Sequence, residues 1–155
     1  MSLQTNQPRY HLGFIGGGKL AGSVVRGLVR AKFCRPHEIL VSEPNDTIRD
    51  SLGEELRVSM TAENAEIAEK AGIILIGVKP GVVLSVVEGI AGATSDKQII
   101  SLAAGVEVAA MEGKGIGRYM RAMTNTAAGV CEAATAIARG LRTTAEDMTR
   151  AREIF

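Results

Sequence analysis

Leu12-Gly13-Phe14-Ile15-Gly16-Gly17-Gly18-Lys19-Leu20-Ala21-Gly22 decides the fold. Apolar Leu12, Phe14 and Ile15 read as a strand that runs into a glycine turn and then a helix. Gly16, Gly18 and Ala21 occupy the three small positions of the G-x-G-x-x-G/A dinucleotide fingerprint, and each has a physical task. Gly16 lets the backbone turn sharply out of the strand. Gly18 lets a pyrophosphate approach the main chain, and Ala21 lets the helix lie close on the strand. The helix start then offers unpaired N–H groups and the positive end of its dipole to the phosphates. A purely structural strand-to-helix turn is the alternative.

Working outward, Leu20, Val24 and Leu28 recur at helical spacing, so the first helix ends near Ala31 or Lys32. Gly22 and Gly27 lie inside it, each costing about 1 kcal/mol against Ala, which close packing on the sheet would justify. A second strand follows at 38–42, a turn at Glu43-Pro44-Asn45-Asp46, a polar helix at 47–55 and a weak strand at 57–60. Thr61-x-x-Asn64 starts a short helix to Lys70. The apolar run from Gly72 to Val78 suits a central parallel strand, closed by Lys79 and by Pro80 at a first helical position. Val82, Val83, Val86, Val87 and Ile90 give the next helix its apolar face, and a loop occupies 92–96. Strands are predicted at 98–103 and 118–123, with a short helix at 108–112 and a flexible link through Gly113, Gly115 and Gly117. One more strand, at an edge, is expected at 133–138. This alternation specifies a doubly wound, mostly parallel α/β sheet, a Rossmann-type dinucleotide-binding domain.

Thr143-Thr144-Ala145-Glu146 reads as a capping box opening a further helix, which reaches Phe155 without a glycine cap or breaker. The expected organisation is a flexible tail at 1–10, a binding domain at 11–142, and at 143–155 the start of a helix leading to a further helical domain.

Composition narrows the function. The 155 residues are 46% apolar and 23% charged with a net charge of +1, as in a single soluble globular domain rather than a nucleic-acid binder. Aromatics are only 3% and Trp is absent, leaving little for base stacking. No stretch approaches the ~20 apolar residues of a membrane span, and residues 1–9 lack a signal peptide's apolar run. Cys34 and Cys131 are far apart, with no metal-binding spacing, and read as thiols of a reducing, cytoplasmic setting.

In an open α/β sheet, ligands sit at the carboxyl ends of the strands. Here those ends are small or polar: Gly16 to Gly18, Ser42-Glu43, Gly77-Val78-Lys79-Pro80, Leu102-Ala103-Ala104, and Met123 to Thr126. Glu43 is placed to accept a hydrogen bond from a ribose 2′-OH, or else is a solvated turn carboxylate. Lys79 can meet a phosphate, a carboxamide or a substrate carboxylate, or merely mark the end of its strand. Asn125 and Thr126 either bind a ligand or form a turn. His11 and His37 lie away from this edge. No catalytic triad, metal cluster or close carboxylate pair is present, so any catalysis belongs to a cofactor.

Four motifs in order resemble the N-terminal domain of pyrroline-5-carboxylate reductase. They are Gly13-Phe14-Ile15-Gly16-Gly17-Gly18, Val78-Lys79-Pro80, Ala103-Ala104-Gly105-Val106 and Arg121-Ala122-Met123-Thr124-Asn125-Thr126. The resemblance implies hydride transfer from NADH or NADPH to the C=N carbon of 1-pyrroline-5-carboxylate, a small imine, giving proline. It further implies that Ile15, Gly16, Gly17, Gly18, Lys19 and Leu20 cradle the pyrophosphate and that Asn64 reaches the adenosine side. Gly77, Val78, Lys79 and Pro80, with Leu102, Ala103 and Ala104, would line the nicotinamide ribose and ring. Ser42 and Asn45 can contact a 2′-phosphate, whereas Glu43 beside it disfavours one, so NADH is expected to serve at least as well as NADPH. The sequence departs from the family at Gly17, where Ala is usual, at Gly81, where a larger polar residue is common, at Ala127 for Pro and at Ala134 for Gly. The family's second, all-helical domain forms the dimer and grips the substrate. A non-catalytic dinucleotide-binding module, or another imine or β-hydroxyacid dehydrogenase, are the alternatives.

Overall fold

Period-two alternation along the strands sets the layering. In β1 (Tyr10–Ile15), Leu12 and Phe14 face one layer, while Gly13 and Ile15 face the other. The same split recurs in β2 (Ile39–Ser42), β4 (Ala71–Ile76), β5 (Gln98–Ser101) and β6 (Arg118–Met123). The structure is a computed structural model and describes residues 7–155. Residues 1–6, within the expected tail, lie outside the described residues.

The seven strands form one sheet in the order β3-β2-β1-β4-β5-β6-β7. All neighbours are parallel except β6 and β7 (Ala136–Arg139), which are antiparallel and place β7 at an edge, as expected from sequence. The order reverses between β1 and β4, which pair from Tyr10–Ala71 to Ile15–Ile76. That reversal is the topological switch point where α/β sheets open a crevice. Helices α1 (Lys19–Arg30), α2 (Asp46–Leu56) and α6 (Ala145–Ile154) cover one face, burying Val24, Val25, Leu52, Ala151 and Ile154. The other face is covered by α3 (Asn64–Lys70), α4 (Pro80–Ile90) and α5 (Val108–Glu112), through Ile67, Val83, Val87 and Met111.

Several local expectations need correction. The weak strand is β3 (Ser59–Thr61), because Arg57 takes the left-handed φ of 60° that ends α2. The last strand starts at Ala136, three residues later than predicted, after a 3-10 turn over Thr126–Val130. The capping box of α6 is shifted by one residue, with Thr144 at the N-cap and Asp147 as its reciprocal partner. Thr143 is instead buried, its hydroxyl donating to the Tyr119 carbonyl (3.1 Å) and accepting from Gly140 N (3.0 Å). Asp147 is drawn in by Arg118, whose Nε lies 2.7 Å from its carboxylate. Burial pushes the Asp147 carboxyl up, but the Arg118 guanidinium and the Thr144 donors outweigh it and hold it below its usual value.

Nor do the glycines of α1 serve packing on the sheet. A Cβ on Gly27 would lie 2.0 Å from the Ala128 carbonyl, so Gly27 admits the 3-10 turn after β6. A Cβ on Gly22 would meet Arg26 and Leu52. The link of Gly113, Gly115 and Gly117 is likewise packed rather than loose, since a Cβ on Gly117 would come within 2.7 Å of Ile99.

Candidate functional site

The site is assembled where β1, β2, β4 and β5 end. Gly16 leaves β1 with φ +97°, a conformation costly for any residue with a Cβ. Its N–H donates to the Ser42 carbonyl (2.8 Å), and the Gly77 N–H donates to the Ile15 carbonyl (2.8 Å). These two bonds tie the turn to both flanking strands. A Cβ on Gly16 would also strike the Gly77 carbonyl oxygen at 2.9 Å. Gly77 has its own requirement, for a Cβ there would lie 2.5 Å from Ala21 Cβ. Small residues at 21 and 77 therefore let α1 lie against the end of β4.

Gly18 is different. Its φ of −68° and ψ of −174° suit any residue, and a Cβ there would meet nothing within 4 Å. Neither conformation nor packing calls for glycine at this position. What a side chain would occupy is the open space over the start of α1. There the first helical bond, Gly22 N to Gly18 O at 2.7 Å, leaves the N–H groups of Lys19, Leu20 and Ala21 without an i−4 acceptor. The first turn of α1 carries no acidic residue. Open donors, an undiminished dipole and a backbone bare of side chain fit a phosphate group.

At the end of β2, Glu43 turns back toward the glycine turn. One carboxylate oxygen accepts from Gly17 N and the other from Asn45 N, both at 2.9 Å, and the residue is only 8% exposed. The solvated-turn alternative for Glu43 is therefore excluded. Ser42 is buried and its hydroxyl donates to Asn64 Oδ1 (2.7 Å), so it orients Asn64 at the start of α3 rather than facing solvent. Asn45 is the N-cap of α2, its side chain accepting from Ile48 N at 3.0 Å. Two residues not expected at the site complete this corner: Arg49, and Thr61, which precedes the Glu63 N-cap of α3 and accepts from Glu63 N through its hydroxyl. The Arg49 guanidinium donates to the Glu43 carbonyl (2.9 Å), and Glu43 N donates to the Thr61 carbonyl (3.0 Å).

On the other side of the switch point, Leu102 N donates to the Ile76 carbonyl (2.9 Å), carrying the β4–β5 pairing to the sheet edge. Leu102 and Ala103 are buried there, and Gly105 takes φ +73° as the chain leaves. Val78 is half-buried, while Lys79, Pro80 and Ala104 are exposed. Lys79 is the N-cap of α4, with Pro80 in its first turn. Asn125 is exposed and caps the 3-10 turn after β6, its Oδ1 accepting from Ala127 N at 3.0 Å. Thus Ile15, Gly16, Gly17, Ser42, Glu43, Asn64, Gly77 and Leu102 are joined by direct bonds or packing, and Gly18 follows Gly17 along the chain. Lys19, Lys79, Ala104 and Asn125 share only the sheet edge.

A hollow of about 230 Å³ beside Gly17 is lined by Thr47, Ser51 and Arg26. Arg26 is bound to Glu55 through two bonds of 2.6 and 2.7 Å, and its guanidinium holds the Glu55 carboxyl below the usual range. A separate cavity of about 170 Å³ lies on the last two turns of α1, walled by Phe33, Thr124, Cys131 and Phe155 among others. It is remote from the glycine turn at the start of α1 and includes none of the switch-point residues. Among the described residues, no three His, Cys, Asp or Glu side chains gather as a metal site, and no helix is long and apolar enough to cross a membrane.

Residues 11–105 match the family described as NADP oxidoreductase, coenzyme F420-dependent. The chain belongs to that family. Within this oxidoreductase family its similarity is to pyrroline-5-carboxylate reductases. It is 37% identical over 150 residues to that of Methanosarcina acetivorans and 35% over 146 residues to that of Synechocystis, each match covering 93% of this chain and 54% of the relative. The structure of a pyrroline-5-carboxylate reductase from Coxiella burnetii superposes with a TM-score of 0.87 at 29% identity, over 94% of this chain and 55% of that one. That of Plasmodium falciparum with NADP bound (TM-score 0.82, 23% identity) shares the fold. The chain spans about half the length of the curated relatives it matches.

Proposed function

We propose that this chain is the nicotinamide-dinucleotide-binding part of a reductase that converts 1-pyrroline-5-carboxylate to proline, using NADH or NADPH. The observation that carries the dinucleotide reading is Gly18, a glycine that neither backbone angle nor packing requires, set over the free N–H groups that open α1. The named relatives at 35–37% identity support the substrate.

In this proposal Gly16 to Leu20 hold the pyrophosphate, and Glu43 with Asn64 holds the adenosine side. Gly77 to Pro80 with Leu102 to Ala104 bound the nicotinamide end, where Asn125 also stands. When bound, a reduced nicotinamide supplies the hydride. A protonated C=N carbon is already electrophilic, so these residues contribute by orienting the partners and not by strong acid catalysis. The imine's carboxylate would be gripped by a helical portion beyond the binding domain at 11–142, which also joins copies of the protein. Two free thiols, Cys34 and Cys131, accord with a cytoplasmic setting.

The test adds 1-pyrroline-5-carboxylate and NADPH or NADH to the chain extended by the remaining length its relatives possess, and measures proline. Proline formed in step with cofactor oxidation is expected. Tight dinucleotide binding with no proline would leave a binding module and refute the reductase.

A further inference from the structure

We propose that Gly27 is a positioning residue for the nicotinamide end of the site: its missing side chain leaves a notch in α1 that seats the turn after β6 and so fixes Asn125. The proposal rests on the dinucleotide reading above, in which Asn125 stands at the nicotinamide end, and extends it to a helix residue away from the sheet edge.

Asn125 and the turn behind it form one body. Its Oδ1 accepts from Ala127 N (3.0 Å) and its main-chain carbonyl from Ala128 N (3.1 Å). With Oδ1 spent in this way, the amide nitrogen is left to donate, and among the described residues it has no acceptor. Its two N–H groups suit a neutral ligand oxygen, such as a carboxamide or a ribose hydroxyl. Where they point depends on what holds Ala127 and Ala128.

What holds them is α1. Gly129 passes Ser23, and a Cβ on Gly129 would meet Ser23 atoms at ordinary distances of 3.6–3.7 Å. Ala128 enters the space that a side chain on Gly27 would fill, for a Cβ there would lie 2.0 Å from the Ala128 carbonyl oxygen. The Cys131 thiol closes the turn by donating to the Gly27 carbonyl (3.5 Å). Gly27 is buried inside α1 without a positive φ, so its backbone does not call for glycine, and glycine is a poor helix former. The notch is what it supplies.

The same helix opens with the turn assigned to the pyrophosphate, and its Ala21 abuts Gly77 at the end of β4. Gly27 lies about 12 Å along α1 from Lys19. One helix therefore carries both the pyrophosphate turn and the seat of Asn125. Through the sheet, β1 reaches β6 only across β4 and β5. Gly27→Ala would drive the Ala128 carbonyl back by about 1.4 Å to ordinary contact, and Asn125 with it.

Calorimetric titration of the chain with NADH and with ADP-ribose, which lacks the nicotinamide, tests this. Gly27→Ala should weaken NADH at least fivefold and change ADP-ribose by no more than twofold. In an Asn125→Ala background the same substitution should change NADH by less than twofold, because the group it displaces is gone. Gly129→Ala alters the same turn through ordinary contacts only, and should change neither ligand. Thermal unfolding confirms that the variants are folded. Should Gly27→Ala not fold, iodoacetamide labelling of Cys131 on the unaltered chain decides: NADH should slow it at least threefold, and ADP-ribose should not. Unchanged NADH binding, equal loss of both ligands, a loss that persists without Asn125, or a loss as large in Gly129→Ala overturns the proposal. So does labelling that NADH fails to slow, or that ADP-ribose slows equally. All of these leave the dinucleotide reading standing, since the unaltered chain still binds NADH. Binding of neither ligand by the unaltered chain overturns that reading together with this one.

Discussion

Gly18 and Gly77 stand at the same sheet edge, yet substitution should affect them in opposite ways. Gly18→Val adds a side chain where no atom lies within 4 Å, at backbone angles that valine tolerates. The fold should lose about 1 kcal/mol at most, the difference between a good and a poor N-cap residue. The added methyls occupy the space over the N–H groups of Lys19 and Leu20. Hydrogen bonds to a charged partner contribute about 1.5–3 kcal/mol each, so losing two weakens dinucleotide binding by about 3–6 kcal/mol, a hundredfold or more. Gly77→Ala acts first on the fold. Its Cβ would come 2.5 Å from Ala21 Cβ, forcing α1 off the sheet. Overpacking of this kind costs about 1–3 kcal/mol, which at roughly 2–4 °C per kcal/mol lowers the unfolding midpoint by about 2–12 °C. Calorimetry with NADH and a thermal melt, run on both variants, separate the two effects. Unchanged NADH affinity in folded Gly18→Val would refute the assignment of the glycine turn to the pyrophosphate.

Three further outcomes are expected. Asp147→Asn should destabilise the chain by about 3 kcal/mol, the low end for breaking a buried pair, because the Arg118 side chain keeps 24% exposure. Since the folded Asp147 carboxyl is held below its ordinary value of about 3.9, its stabilisation is present above that pH and is lost as pH falls through the folded value. Urea melts should therefore show wild type and variant converging below about pH 4, and a constant gap would refute the role. Burial, with a smaller push from Glu38, raises the Cys34 thiol to about 11, so iodoacetamide at pH 8 should label exposed Cys131 well before Cys34. Equal labelling rates would show that Cys34 is not held in its half-buried place. Finally, residues 1–155 with NADH and 1-pyrroline-5-carboxylate should turn over far more slowly than the chain extended by its relatives' remaining length. Lys79, Ala104 and Asn125, which we propose stand at the nicotinamide end, are exposed, and orientation is worth about 7–11 kcal/mol in well-arranged reactions. Comparable rates would mean that the binding domain alone positions the imine.

The sequence by itself determined the kinds of element and their succession, because both rest on local periodicity. Alternating Leu12 and Phe14 and the short apolar run Ile73 to Ile76 suit strands of a covered sheet, and the short helix at 108–112 was legible to the residue. The glycine turn was legible too, since Gly16 needs its positive φ wherever the rest of the chain lies. Tertiary structure alone decided what depends on atoms brought from far along the chain. Gly27 is explained by Ala128 and Gly77 by Ala21, whereas no atom of the protein packs where a Gly18 side chain would lie, and the three are alike in sequence. Thr144 rather than Thr143 caps α6 because Tyr119 and Gly140 take the Thr143 hydroxyl, while Arg118 and Thr144 hold Asp147. Glu43 could have been a solvated turn residue. The partner that makes it a fixed acceptor at the crevice is the Gly17 N–H, 26 residues back, which only the pairing of β1 with β2 brings within 2.9 Å.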